Sequence, residues 1–440
     1  MAGAHFGWGH IARVGLVQAA IGAIVVLTTS TLNRVMVVEL ALPALLPGLL
    51  VALHYAVQLS RPRVGHGSDA GGRRTPWIAS GMAVLALGGV LAALATAWMG
   101  TQRGAGITLA VLAFVLIGLG VSASGTNLLV LLAKRVAPER RAGAATLVWL
   151  MMIVGFAVTA GLAGRWLDPF GPQRLVLVAT VVCAAALAVA LAALVGLEGP
   201  PSAVPAHPAD RPTAVPFRTA LRQVWHEPDA RRFTVFVFVS MLAFSAQDLI
   251  LEPFAGSVLG YTPGQSTSLS GVQHGGVLVG MLLAALAGRR FRGRSLGSLR
   301  AWTVGGCSAS AVALAGLTLA GLVGPAWPFK LNVWLMGAAN GVFSIAAIGS
   351  MMRLAAEGRS AREGTRMGLW GAAQAIAFAL GGLVGTGAAD LCRWLIGQPG
   401  AAYATVFALE ALLFVVSARL ALAVRPGPAT AAPPLLTAAG

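Results

Sequence analysis

The chain has 440 residues, 57% of them hydrophobic and only 10% charged, with a mean hydropathy of +0.80; soluble domains carry about 25% charged residues, so an ordinary soluble protein is excluded. The formal net charge of +17 would suggest a nucleic-acid partner in a soluble chain, but in a membrane chain basic residues must first be set against loop positions. Cys183, Cys307 and Cys392 lie in or beside apolar segments without metal-type spacing, which argues against a disulfide framework or a zinc site and for packing roles.

Along the chain, Met1–His10 lacks a basic n-region and a cleavage site, so the first apolar segment reads as a retained helix. Apolar windows of about 20 residues, the length that crosses a hydrocarbon layer of about 30 Å, then recur through both halves. They span 11–32, 42–60, 77–99, 106–133, 143–164 and 174–197, and then 232–252, 264–288, 302–323, 329–354, 367–389 and 401–424. Continuous apolar runs select helices over a barrel. Between the two sets, Glu198–Glu227 holds Pro200, Pro201, Pro205, Pro208, Pro212 and Pro216, the composition of a linker. The expectation is an all-α polytopic membrane protein with twelve transmembrane helices in two six-helix halves. Residues 1–197 and 232–424 form the halves, 198–231 a cytoplasmic linker and 425–440 a disordered cytoplasmic tail.

The halves share a register. Pro43 and His54 recur as Pro263 and His274 at an offset of 220, and Gly143 and Trp149 recur as Gly364 and Trp370 at 221. Such offsets indicate an internal duplication, which encloses a site at the interface of the halves near the bilayer centre. With the N-terminus in the cytoplasm, 25 of the 31 Lys and Arg fall on the cytoplasmic side, leaving only Arg34, Arg103, Arg165, Arg174, Lys330 and Arg393 outside. Orientation therefore accounts for the net charge without nucleic acid, and both termini are expected in the cytoplasm. The basic face also suits anionic lipid.

Polar residues inside the apolar segments are the candidate functional groups, because ionisable side chains in hydrocarbon need a partner or a water-filled cavity. Asp248 and Glu252 stand four apart in the seventh segment. Counted from Arg232 at 1.5 Å per residue, Asp248 lies roughly 24 Å into a layer of about 30 Å, toward the outer interface. Arg34 and Glu39 close the first segment at the same outer end, which suggests an ion-pair gate between Arg34 and Asp248; the plain alternative is surface proximity. Glu410 stands alone in the twelfth segment, with helix pairing as its expected role. His54 and His274 are the histidines near mid-membrane depth. Gln18, Asn127, Asn340 and Gln374 are buried amides suited to ligand contact or to helix pairing, and Trp149 and Trp370 to ring stacking or to gap filling. The glycines of the fifth and eleventh segments, such as Gly155, Gly164, Gly381 and Gly385, allow close helix approach. No nucleophile elbow, metal-ligand cluster or phosphate-cradling loop is present in the sequence, so no enzyme is expected.

The loop Gly65-His-Gly-Ser-Asp69-Ala-Gly-Gly72-Arg73-Arg74 resembles the signature of the major facilitator superfamily, which implies that fold and a gating latch through Asp69 and Arg73. Ala70 departs from the pattern, and the corresponding loop of the second half, Gly288-Arg-Arg-Phe-Arg-Gly-Arg, lacks the acidic residue. A closer resemblance lies in Asn33-Arg34-Val-Met-Val-Val-Glu39-Leu, Arg73-Arg74-Thr-Pro76-Trp77, Ala246-Gln247-Asp248 through Glu252-Pro253, and Gly368-Leu-Trp370-Gly-Ala-Ala-Gln374-Ala. These blocks look like the PucC and LhaA family of phototrophic bacteria. The resemblance implies delivery of bacteriochlorophyll to light-harvesting polypeptides, or assembly of their complexes, in the bacterial inner (intracytoplasmic) membrane. A proton-coupled transporter of an amphipathic solute, with Asp248, Glu252 and Glu410 as coupling residues, and a membrane partner of pigment-synthesis enzymes are the alternatives. No intrinsic cofactor is expected; bacteriochlorophyll would be bound cargo. Its magnesium would need one axial donor, for which His54 and His274 are the candidates, beside a pigment-facing set of Trp149, Trp370, Gln374, Asn127 and Asn340.

Overall fold

In a hydrocarbon layer every backbone polar group must be satisfied within the chain, and each apolar segment adopts the helical solution. The computed structural model describes residues 6–60, 73–137, 140–198, 222, 225–287, 297–357 and 363–424, with no strand among them. In chain order the helices are α1 (Trp8–Glu39), α2 (Leu45–Val57), α3 (Thr75–Met99), α4 (Arg103–Arg135), α5 (Arg141–Leu167), α6 (Pro172–Leu194), α7 (Pro228–Ser257), α8 (Pro263–Ala287), α9 (Leu299–Val323), α10 (Phe329–Glu357), α11 (Glu363–Ile396) and α12 (Pro399–Ala423). Proline occupies the first turn of α3, α6, α7 and α12, where its missing N–H removes no helical bond.

Eleven of these helices are long and apolar enough to cross a membrane by length and composition. The exception is α2. Its expected span, 42–60, contracts to 13 residues followed by a 3-10 turn at Gln58–Ser60. The chain doubles back before it, with Ala41 in the left-handed region at φ 49°, and Pro43 offers no N–H to the first turn. At the other extreme, α1 runs on to Glu39 and α7 starts at Pro228, so Arg34 lies within a helix and the expected linker ends four residues early.

The packing repeats in the two halves. In the first, α1 packs on α5 and α6, α3 on α4 and α6, and α2 on α4; in the second, α7 packs on α11 and α12, α9 on α10 and α12, and α8 on α10. The halves meet where α5 packs on α8 and α2 on α11, and where residues 27–39 of α1 cross α7. Each half has its own apolar core, one around Leu85, Phe114 and Ile117 and the other around Phe233, Phe254, Phe343 and Phe407. Leu249 of α7 inserts into the core of the first half. Outward-facing residues stay apolar, as Leu177, Val312 and Leu322 do at more than 60% exposure, because lipid is the solvent on that side. Helices α8 and α10 approach each other closely. A Cβ added at Gly276 or Gly280 would overlap the backbone of Trp334 or Ala338, and one at Gly337 or Gly341 the backbone of Gln273 or Val277. Close approach through small residues was expected in α5 and α11; this seam depends on them too.

On the face where α1 begins and α12 ends, here the terminal face, the start of α3 is held by a residue from beyond α6. The Glu198 carboxylate accepts the Arg74 amide at 2.8 Å, the Thr75 amide at 2.8 Å and the Thr75 hydroxyl at 2.7 Å. Arg74 also donates to Asn127 Oδ1 at 3.2 Å, and Arg135 to the Glu198 carbonyl at 3.0 Å. Glu198 thus satisfies orphan amides at a helix N-terminus, where a carboxylate is favoured by the helix dipole. It was expected to begin a free linker. Arg73 is exposed beside it, while Asp69 and most of the signature loop lie outside the described residues. Burial alone would raise the Glu198 pKa, but the Thr75 amide and hydroxyl, the Arg74 amide and the charge of Arg73 together hold it below the ordinary 4.5. A carboxyl held low in the fold contributes stability above its unfolded pKa and loses that contribution as pH falls through its folded value. Glu198→Gln is therefore expected to lower the melting temperature at pH 7 and to converge on the parent below pH 4.5, as read by thermal unfolding in detergent across pH.

Candidate functional site

Two wide turns shape the upper part of α1. Leu27–Thr31 and Val35–Glu39 are π-helical and flank Leu32–Arg34; such turns insert a residue and re-aim the side chains beyond it. Here they turn Ser30, Thr31, Asn33 and Arg34 toward α7, α8 and the segment between them. Ser30 Oγ lies 3.1 Å from Ser270 Oγ and Thr31 Oγ1 3.0 Å from Thr267 Oγ1. The amide of Asn33 donates to the Leu249 carbonyl at 2.6 Å. That carbonyl is available because Pro253, four residues on within α7, has no N–H to give it. A side chain of one half thus completes a helix of the other.

Arg34, only 2% exposed, pairs with Glu39 of its own helix and donates to the Tyr261 carbonyl at 2.6 Å. Gly256 of α7 leaves room for it, since a Cβ there would stand 2.9 Å from the guanidinium. The expected Arg34–Asp248 pairing is not the one formed. Asp248 accepts from Gln273 of α8 at 3.0 Å, and Glu252, one turn nearer the end of α7, is the carboxylate that feels the charge of Arg34. The four-residue spacing carries Glu252 up to the level of Arg34 and leaves Asp248 a turn below. Glu252 also accepts the Ser270 hydroxyl at 2.5 Å. A continuous polar seam therefore joins α1, α7 and α8 through Ser30, Ser270 and Glu252, with Gln273 and Asp248 below it.

The two histidines differ despite their shared repeat position. His54 is 1% exposed and its Nε2 lies 2.6 Å from Gln58 Nε2, with Tyr55 packed edge-on. His274 is half-buried in α8, its Nδ1–H donating to the Ser270 carbonyl at 2.8 Å. That bond fixes the tautomer and puts the lone pair on Nε2. Phe156 of α5 packs edge-on against the ring with centroids 4.8 Å apart, and Phe378, its repeat counterpart in α11, packs against Tyr55 at 5.4 Å.

The remaining candidates do not converge on one cavity. Trp370 is buried against Phe233 at 5.0 Å, where helix packing occupies it, whereas Trp149 is 36% exposed on α5. Asn127 holds Arg74 on the terminal face. Asn340 accepts the Ser310 hydroxyl at 2.8 Å and ties α10 to α9. Gln374 is half-buried on α11, and Gln18 donates to Met152 Sδ at 3.1 Å. Glu410 is 2% exposed with neither carboxylate oxygen hydrogen-bonded, so the helix-pairing role expected of it has no side-chain bond to carry it. Gln247, fully buried on α7, is likewise without a partner at either amide atom. On the flank of the second half, an apolar groove of about 440 Å³ lies between α9 and α10, lined by Ala301, Trp302, Gly305, Gly306 and Ala339 among others.

Sequence reading found the charged members of the seam and His274, and missed its hydroxyls and Gln273. Their signal was available: Leu27-Thr-Thr-Ser-Thr31 and Ser266-Thr-Ser-Leu-Ser270 are hydroxyl-rich runs in otherwise apolar helices.

Comparison with known proteins places this geometry. The family model described as PUCC protein matches residues 31–427. The bacteriochlorophyll synthase 44.5 kDa chain of Rhodobacter capsulatus is 52% identical over 415 residues, covering 94% of this chain and 95% of that protein. Protein PucC of Cereibacter sphaeroides is 31% identical over 421 residues, covering 91% and 88%. Among solved structures, a bacterial homologue of the lysosomal transporter Spinster, inward-facing and unoccupied, superposes with a TM-score of 0.67 at 16% identity, over 96% of this chain and all of that one. The D-xylose-proton symporter gives 0.68 at 16% identity, over 92% and 97%. At that identity the likeness establishes the fold, and it is the major facilitator fold.

The seam makes two expectations. Asn33→Leu leaves the Leu249 carbonyl without a donor and is expected to destabilise the protein by about 1–3 kcal/mol, the cost of an unsatisfied buried polar group, as seen in thermal unfolding. In double-mutant cycles, Arg34 is expected to couple with Glu39 at the low end of the roughly 0.5–3 kcal/mol found for contacting pairs, because Glu39 is partly solvated, and to show no coupling with Asp248.

Proposed function

The chain belongs to the PUCC protein family, and from that premise we propose that it binds or delivers bacteriochlorophyll and assists assembly of light-harvesting complexes in the membrane of a phototrophic bacterium. The observation that carries this reading is the family match over residues 31–427, supported by a relative, 52% identical, that is named as a chain of bacteriochlorophyll synthase. The fold suits the task. A pigment with a flat macrocycle and a prenyl tail needs mostly apolar surface, one donor for its magnesium and a few polar contacts. His274 presents a lone pair on Nε2 because its Nδ1–H is committed to Ser270, the arrangement in which an imidazole ligates a metal. His54, engaged with Gln58 through Nε2, is the weaker candidate. Light-harvesting polypeptides are the proposed partners and the inner (intracytoplasmic) membrane the proposed site, with both termini cytoplasmic; the reading assigns no catalysis to the chain.

The name of the 52% relative favours a second reading, in which the chain is a membrane partner of the pigment-synthesis enzymes. One experiment addresses both. The tagged chain is purified from membranes of a phototrophic host, its pigment extracted and its co-purifying polypeptides identified. Bacteriochlorophyll is expected with the parent and with His54→Leu, and loss to background with His274→Leu. Pigment at parental level in the double variant rules out the imidazole role. A parent free of both pigment and photosynthetic polypeptides overturns the whole reading. Co-purification of synthesis enzymes without antenna polypeptides selects the second reading.

A further inference from the structure

Two of the seams that join the halves carry matching carboxylate caps, on the face opposite the start of α1 and the end of α12, here the distal face. At the end of α5, Asp168 accepts the Thr262 hydroxyl at 2.6 Å and the Gly264 amide at 3.2 Å, both at the start of α8. At the corresponding place on α11, Asp390 accepts the Ala44 amide at 3.0 Å and the Leu45 amide at 2.8 Å, at the start of α2. One turn deeper, a hydroxyl side chain of one helix sits on a glycine of the other: Ser268 on Gly164, and Thr386 on Gly48. The duplication relates the two carboxylates, one capped amide of each seam and the hydroxyl–glycine positions, with hydroxyl and glycine exchanged between the seams. Asp168 and Asp390 are 222 positions apart, as are Gly164 and Thr386, while Ala44 and Gly264 are 220 apart, as are Gly48 and Ser268.

Two features give this arrangement a mechanical meaning. First, the remaining polar links of the α1 seam, Ser30 with Ser270, Thr31 with Thr267, Asn33 with Leu249 and Arg34 with Tyr261, join the halves on the distal side too. Second, Asp168 and Asp390 are only half-buried. When a seam parts, water can replace the carboxylate at the helix N-terminus, so the contact is reversible in a way that a buried one is not. Apolar packing alone would give lipid-embedded helices little preference for one mouth over the other.

We propose that Asp168 and Asp390 are a matched pair of clasps that hold the distal mouth shut, each by capping the first turn of the helix facing it across the halves, and that the distal face opens only when both caps are released. The clasp is independent of the cargo and holds whether or not pigment is the ligand.

The test uses the full chain in lipid nanodiscs, with Cys183, Cys307 and Cys392 replaced by alanine and spin labels on Thr101→Cys and Gln398→Cys. Both positions are exposed on the distal face, one in each half. Pulsed dipolar spectroscopy should give one short-distance population in the parent. Asp168→Ala and Asp390→Ala should each raise the ratio of long to short distances about fivefold, the factor that loss of a helix cap of ordinary strength gives, and together more. Asp168→Asn and Asp390→Asn keep an acceptor and should resemble the parent. An unchanged distribution in the double alanine variant overturns the clasp, as does an asparagine variant that opens like its alanine counterpart. Where the double variant does not fold, the single variants decide. If both single alanine variants lose the monodisperse peak in size-exclusion chromatography while the asparagine variants keep it, the caps are needed for folding and the gating proposal fails.

Discussion

A polar group in hydrocarbon has no water to fall back on, and this constraint governs how the halves meet. The α1 seam answers it with partners drawn from both halves. Pro253 frees a carbonyl in α7, and Asn33 of α1 is the donor that satisfies it. Ser270 links Ser30 to Glu252 with its hydroxyl and orients His274 with its carbonyl. Interhelical hydrogen bonds in membranes contribute about 0.6–2 kcal/mol each. No single bond locks the halves, and the set as a whole fixes their register.

Duplication explains both the regularity and the exceptions. Packing partners and capping aspartates recur at offsets of 220 to 222, because each half must bury the same faces and end its helices against the other half. Groups free of that obligation have diverged. Trp149 is exposed while Trp370 is buried, and His54 binds Gln58 while His274 binds its own backbone. The polar seam on α1 and α7 is specialised further, because Arg34 and Glu39 of the first half face Glu252 of the second.

The basic residues carry two burdens. Their skew toward one side is what orientation in a membrane requires, yet several also close helix ends. Arg13 reaches the carbonyls of Ala193 and Val195 at the end of α6, and Arg300 that of Leu422 at the end of α12, as cations do at helix C-termini. Arg34 is buried within the bundle. Its guanidinium shares a carboxylate, a backbone carbonyl and the space left by Gly256, so its role depends on shape as much as on charge.

Helix number, the duplication, the family resemblance and the charged candidates were legible in the sequence, since apolar length, fixed offsets and ionisable residues in apolar runs are properties of the chain order alone. Which groups meet was not legible. Arg34 and Asp248 looked like partners from their common depth, but after the two π turns of α1 Arg34 pairs with Glu39 and the Tyr261 carbonyl, while Asp248 accepts from Gln273. Glu198 read as linker until the fold carried it onto the first turn of α3. Asp168 and Asp390 gave no signal as single carboxylates near helix ends, because a cap across a seam depends on partners 94 and 345 residues away in the chain. Pattern along a chain sets what each segment must bury; only the packed bundle decides which orphan donor stands opposite which acceptor.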